Sequence, residues 1–239
     1  MYIHTEDIHN FKAAEQVLPI VFDKFKPNSI LDVGCGIGTW LKVAKDLGVN
    51  NILGIDGSYI NKQLLKIKDS EFKEFDLNLP FNLNQQFDLI ICLEVAEHVS
   101  QEYASNLIKS LCDHGNIILF SAAIPGQGGQ NHCNEQWPDY WQEKFQSEGF
   151  GSYDVLRNDI WLNEKIDWWY RQNLILCINE THPLAAQYKK GVLPLVHPEL
   201  LVRKIQQLEN ENKNLVDQLS KLRSRTLKDK LLHHLKIKK

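Results

Sequence analysis

The sequence predicts an α/β fold: a doubly wound, mostly parallel seven-stranded sheet followed by a C-terminal coiled-coil helix. Three observations predict it. Short apolar runs alternate with amphipathic stretches from residue 10 to about residue 180, the rhythm of strands crossed over by helices. A glycine-rich turn follows the first apolar run directly and opens into a helical pattern. Beyond residue 200, leucines recur every seventh position, at Leu201, Leu208, Leu215 and Leu222.

Each element has its own justification. Residues 11–25 carry apolar side chains at helical spacing and are closed by Pro27. Residues 29–33 form a short apolar run, hence a buried strand, and a helix follows the glycine turn to about Leu47. Residues 51–55 make a second strand ending at Asp56-Gly57, and residues 71–75 a weaker third. Residues 87–93 are almost continuously apolar, as a strand buried on both faces requires. Residues 103–112 read as a helix, and 116–123 as a fifth strand ending at Pro125. Residues 137–146 read as a helix with Pro138 in its first turn. Residues 151–156 and 172–178 supply the last two strands. The body then spans 1–181, a proline-bearing linker 182–199, the coiled coil 200–226 and a basic tail 227–239. In the heptads Ile205, Asn212 and Leu219 take the a positions, and a lone Asn there favours a parallel two-stranded register. Self-association through this helix is expected.

Composition narrows the function. The chain has 239 residues, 43% hydrophobic and 24% charged, with formal net charge −3. That fits a soluble domain with an extension. No apolar run approaches the roughly 18 residues of a membrane span, so no integral membrane contact is expected. The first seven residues lack a basic and an apolar region, so a cleaved signal peptide is not expected. Five cysteines without a CxxC pair argue against a disulfide framework or zinc ribbon and fit a reducing, cytoplasmic location. Residues 221–239 hold eight Lys or Arg and one acid, +7, which leaves −10 for the rest of the net −3. An acidic body does not suit nucleic acid as a partner, whereas the basic tail suits at most weak peripheral contact with anionic lipid.

The chemistry starts at Ile30-Leu31-Asp32-Val33-Gly34-Cys35-Gly36-Ile37-Gly38-Thr39. Glycines at alternate positions let a ligand approach the backbone. The third glycine comes one residue too early for the G-x-G-x-x-G dinucleotide pattern, and Asp32 beside a pyrophosphate would repel it. The ammonium and sulfonium of S-adenosylmethionine would instead be attracted. The motif resembles the first motif of the class I S-adenosylmethionine-dependent methyltransferases, acid-x-G-x-G-x-G, over about residues 25–180, and the subgroup associated with glycan and sugar modification. The resemblance implies a Rossmann-like domain with S-adenosylmethionine as cofactor. Asp32, Gly34, Cys35, Gly36 and Gly38 would form its cradle, Asp56 would bond the ribose, Asp76 and Leu77 would flank the adenine, and Glu94 would lie under the methionine portion.

A second group is Glu94-x-x-Glu97-His98, with His132 after the fifth strand. Helical spacing would put the first three on one face. Two carboxylates and two imidazoles suit Mg²⁺, Mn²⁺ or a transition metal. The pattern resembles small-RNA 2′-O-methyltransferases and ubiquinone-pathway O-methyltransferases, which implies Glu94, Glu97, His98 and His132 as metal ligands. The other reading has no metal: Glu94 lines the cofactor pocket and His98 caps a helix.

The loop 123–138 is rich in glycine and ends in His, Asn, Glu, Gln and Trp. Such side chains bond hydroxyls or stack on sugar faces, so Asn134, Gln136, Trp137 and, from the later aromatic cluster, Trp168 are the expected acceptor contacts. The expected reaction is O-methylation of a sugar hydroxyl, on a nucleotide-sugar or a glycan end. His132 is the preferred general base, and His98 is its companion. The rivals are RNA 2′-O-methylation and a non-catalytic scaffold oligomerised by the coiled coil.

Overall fold

The computed structural model describes residues 10–237. Positions 1–9 of the body and 238–239 of the basic tail lie outside the described residues, as do the tail's side chains at 227–237. The elements are α1 (Lys12–Lys24), β1 (Ser29–Val33), α2 (Thr39–Asp46), β2 (Asn51–Asp56), β3 (Phe72–Glu74), β4 (Leu89–Leu93), α3 (Ala104–Cys112), β5 (Ile117–Ser121), α4 (Pro138–Ser147), β6 (Phe150–Tyr153), α5 (Arg157–Ile160), α6 (Trp168–Asn173), β7 (Ile175–Asn179) and α7 (Pro198–Ile237). The seven strands form one sheet in the order β3-β2-β1-β4-β5-β7-β6. β3, β2, β1, β4 and β5 run parallel, and β7 pairs antiparallel with both β5 and β6. The expected mostly parallel sheet is thus present.

Alternate residues of the strands feed two cores, because successive side chains leave a strand on opposite faces. Ile30, Leu89, Ile91, Ile117 and Leu119 pack with Val17, Leu18 and Val21 of α1 and Leu41 of α2. Leu31, Ile90, Cys92, Ile118 and Phe120 pack with Leu107 and Leu111 of α3 and Trp141 and Phe145 of α4. β1, β4 and β5 are buried throughout, which explains their largely apolar composition, broken in β1 by Asp32.

One expectation needs correction. Gln172 and Asn173 do not begin a strand; they close α6, and β7 starts at Ile175. α5 and α6, of four and six residues, are too short to show a helical period. Part of the segment 182–199 is bonded to the body. Gly191 N–H donates to Ser152 O at 2.8 Å, Val192 exchanges two bonds with the Gln142 side chain, and Arg157 reaches Leu193 O. The chain divides into two compact units, Met1–Leu195 and Val196–Lys239. No helix among the described residues is long and apolar enough to cross a membrane.

Candidate active site

The site lies at the carboxyl ends of β1, β2 and β4, where parallel strands of a doubly wound sheet present their loops. β1 ends in the glycine turn. Gly34 and Cys35 N–H both donate to Ile55 O of β2, at 2.8 and 3.2 Å, so the turn is fastened across the sheet. Gly36 N–H donates to Asp56 Oδ2 at 2.7 Å, and Gly57 N–H to Asp56 Oδ1 at 2.6 Å. Asp56 therefore shapes the turn, with both carboxylate oxygens accepting backbone N–H bonds. Gly34 has φ +77°, and a Cβ there would sit 2.3 Å from Val95 Cγ2. Only glycine closes β1 against the end of β4. Cys35 turns inward against Gly54, whose Cβ would meet Cys35 Sγ at 2.6 Å. Burial, with Asp32 and Asp56 nearby, pushes its thiol well above the ordinary range, so it is no nucleophile.

Beside the turn a cleft, open to solvent, is lined by Asp32, Gly34, Trp40, Leu93, Asp167 and Tyr170. Trp40 and Tyr170 meet edge to face at 5.5 Å. Asp32 is only 3% exposed, and its Oδ2 is buried without a hydrogen-bond partner among the described residues. Burial, then Asp56, raises its carboxyl well above the ordinary range. An orphaned buried carboxylate is costly and asks for a cation. The ammonium of S-adenosylmethionine fits, and the aromatic walls suit the sulfonium. Asp76 lies one residue past Phe75, whose N–H donates to Asp56 O, but its carboxylate is exposed and bound into its own turn by Asn78. Leu77 is half-buried behind it.

β4 ends at Glu94, whose φ of +53° is unusual for a residue with a side chain. This left-handed step breaks the helical face expected for Glu94, Glu97 and His98; only a short 3₁₀ turn, Ala96–His98, follows. Glu94 and Glu97 consequently part. Glu94 Oε2 accepts from Gln127 Nε2 at 2.8 Å and Oε1 from Asn173 Nδ2 at 3.1 Å. Gln127 Oε1 in turn accepts from Asn173 and Gln172. Burial raises the Glu94 carboxyl, against the bonds from Asn173, Ser121 and Gln127.

Glu97 goes the other way and meets His98 and His132. Candidate ligand atoms of these three lie within 4.8 Å of one another. The four-residue set expected from the sequence thus loses Glu94. The imidazoles of His98 and His132 stand edge to face at 4.9 Å. His132 Nδ1 is hydrogen-bonded to Glu135 Oε1 at 2.9 Å, and Nε2 lies 3.9 Å from Glu97 Oε1. Glu135 also accepts from Gly126 and Gly128 N–H, so one carboxylate sets both the ring and the glycine loop. Against burial, the His132 and glycine bonds hold the Glu135 carboxyl below its ordinary value. Glu97 is fully buried, and neither of its carboxylate oxygens has a hydrogen-bond partner among the described residues. Burial, then Glu94, raises it well above the ordinary range. The donor set fits a divalent cation, and Glu135 holds His132 from behind in the manner of an outer-shell carboxylate.

The expected acceptor contacts divide. Trp137 is 40% exposed at the head of α4, and Gln136 is half-buried beside it. Asn134 and Trp168 are buried: Asn134 donates to Val99 O, and Trp168 meets Trp169 edge to face. Gln127, Glu135 and Asn173 carry structure at the site and were not singled out from the sequence. The His-x-x-Glu spacing of residues 132–135 was a readable signal for Glu135; Asn173, 79 residues from Glu94, had none.

Residues 7–172 match the family described as a methyltransferase domain. The chain belongs to that family. The glycine turn, the buried Asp32 and the aromatic cleft all lie within or beside the matched span. The ubiquinone biosynthesis O-methyltransferase of Rickettsia bellii is 35% identical over 99 residues, which cover 38% of this methyltransferase and 40% of that protein. The chain matches about two fifths of the length of the curated relatives it resembles. A sugar N-methyltransferase from Streptoalloteichus has the same fold, with TM-score 0.59 at 14% identity over 75% of this chain and 94% of that one. An amino pentose methyltransferase from Micromonospora echinaspora gives 0.53 at 12% identity over 75% and 98%.

Proposed function

We propose that this methyltransferase transfers the methyl group of S-adenosylmethionine to a sugar hydroxyl, on a nucleotide-sugar or a glycan end. The observation that carries the reading is His132, fixed by Glu135 at 2.9 Å with its free nitrogen turned toward the buried Glu97. A neutral imidazole held in one tautomer is a general base suited to neutral pH. His132 Nε2 takes the hydroxyl proton as the new oxygen–carbon bond forms. The sulfur–methyl bond breaks with its electron pair staying on sulfur, so S-adenosylhomocysteine leaves. Asp32 and Glu94 hold the amino-acid end of the cofactor, Asp56 holds its ribose, and Trp137 offers the acceptor an exposed aromatic face.

Glu97, His98 and His132 would also hold a divalent ion such as Mg²⁺ or Mn²⁺. An ion there would make the acceptor hydroxyl more acidic, with His132 then serving as ligand. Two neighbours of the same fold are sugar methyltransferases, one of them acting on nitrogen, which supports a sugar acceptor; the ubiquinone biosynthesis O-methyltransferase supports transfer to oxygen, and the −10 charge of residues 1–220 favours a small acceptor over RNA. The test is methyl transfer from labelled S-adenosylmethionine to nucleotide-sugars, sugar-ended glycans and short RNA, with and without EDTA. Transfer to a sugar, lost in His132→Ala with cofactor affinity unchanged, is expected. Transfer to RNA alone would replace the acceptor, and bound cofactor without transfer to any acceptor would favour the scaffold. Loss with EDTA and recovery with Mn²⁺ would assign the ion.

A further inference from the structure

α7 is 40 residues long, roughly 60 Å at 1.5 Å per residue. It carries a stripe of large apolar side chains that are about half exposed or more: Leu201 57%, Ile205 47%, Leu208 58%, Leu215 55%, Leu219 57% and Leu222 58%. These are the a and d positions of consecutive heptads, with Asn212 at the a position between Leu208 and Leu215. Ion pairs and amide bonds within the helix lie off this stripe: Arg203 with Glu199, and Gln207 with Glu211. A stripe of this length left in water is a partner surface.

We infer that the partner is a second copy of this chain, bound through α7 as a parallel, in-register two-stranded coiled coil. Two independent features choose that arrangement. In a parallel pair Asn212 faces Asn212 of the other copy, and the two amides bond each other. In the antiparallel register that keeps the leucines matched, Asn212 faces Leu215 and its amide is buried without a partner, at a cost of roughly 1–3 kcal/mol. The flanking charges agree. With Leu201 at d, Lys204 takes g and Glu209 takes the following e, which is the pair that meets across a parallel interface. Twofold symmetry forms it twice. Glu211 and Val216, the next such pair, add no repulsion, and Gln218 with Arg223 adds none either. Because each body joins α7 at its amino end, parallel pairing brings both catalytic units to the same end of the coil.

The test uses the full chain. Light scattering should give twice the 27.7 kDa chain mass at micromolar concentration. Leu208→Glu with Leu215→Glu should give monomers whose affinity for S-adenosylmethionine is unchanged, which shows that the body still folds. Lys204→Glu should weaken the dimer about tenfold through two like-charged contacts, and Lys204→Glu with Glu209→Lys should restore it. Asn212→Cys under mild oxidation should yield a 212–212 disulfide by peptide mapping. A monomeric full chain, a dimer that survives the two Leu→Glu changes, or an oxidised dimer without the 212–212 link would each overturn the inference.

Discussion

Gly34→Ala tests the cofactor cradle at its tightest point. Two penalties add. The backbone there has φ +77°, a region that costs a side-chain-bearing residue roughly 1–2 kcal/mol. The new Cβ would also lie 2.3 Å from Val95 Cγ2 and 3.0 Å from Cγ1. Val95 is 8% exposed and β-branched, so it has no free rotamer to escape into, and overpacking of this kind costs roughly 1–3 kcal/mol. The sum is about 2–5 kcal/mol, a large part of an ordinary domain's roughly 5–15 kcal/mol. Urea unfolding should show that loss, and titration calorimetry should show weaker S-adenosylmethionine binding in the surviving folded protein. The two penalties can be separated with Val95→Ala, which removes the two methyl overlaps, keeps a tight 3.2 Å approach to the Val95 Cβ, and leaves the φ strain. The double variant should be more stable than the sum of the single losses by roughly 1–3 kcal/mol, the size of the removed overlap. A Gly34→Ala protein within about 0.5 kcal/mol of wild type, or strict additivity in the cycle, would refute the packing argument.

Other perturbations probe the remaining contacts. Asp56→Ala should lower stability as well as cofactor affinity, because it removes the acceptor of the Gly36 and Gly57 N–H bonds; calorimetry and urea unfolding should move together, by about 1.5–3 kcal/mol per charged bond. Asn173→Leu should leave Glu94 with fewer donors and raise its carboxyl further, so S-adenosylmethionine affinity should fall more steeply on acidification than in wild type. Equal pH profiles would count against Glu94 as a cofactor contact. Glu135→Gln should lower kcat roughly 10–100-fold with little change in cofactor Kd, as expected when the group orienting a histidine is lost. The Lys45–Glu71 pair at 2.5 Å has its own pH signature. Burial would raise the Glu71 carboxyl, but bonds from Lys45 and Lys68 lower it overall, so its stabilisation is complete above about pH 4.3 and lost as pH falls through the lowered folded value. Lys45→Met should remove about 0.5–1 kcal/mol at pH 7 and nothing at pH 2, measured by urea unfolding.

The parts of the site made by short stretches of backbone were legible in the sequence. Asp32 to Gly38 reads directly because the turn needs small residues at fixed offsets from a buried strand, and Asp56 reads because it ends the neighbouring strand. At Glu94 the backbone departs from the expected helix. Its spacing to Glu97 and His98 is helical, but the left-handed step at φ +53° replaces the helical face, and its carboxylate bonds Gln127 and Asn173. Nothing in one dimension marks that step, since it is enforced by Gln127 and Asn173 from 33 and 79 residues away. The burial of Asn134 and Trp168 is also not marked in the sequence, since polar and aromatic residues near a loop can be either buried or exposed. The docking of residues 191–193 on the body depends on Gln142, Ser152 and Arg157, and prolines alone do not reveal such partners.

The place of β7 in the sheet bears on how the protein is made. β7 lies between β5 and β6 and is antiparallel to both, although it leaves the ribosome after them. Until residue 179 has emerged, β5 has an open edge and β6 has no neighbour among the strands of the sheet. A nascent chain ending before β7 therefore exposes the open edge of the largely apolar β5 and leaves β6 wholly unpaired, the condition that invites association with other chains. The body should pass protease challenge as one unit only once β7 is free to insert, so synthesis arrested at residue 170 should give a cleavable chain while arrest well past residue 195 gives a resistant one.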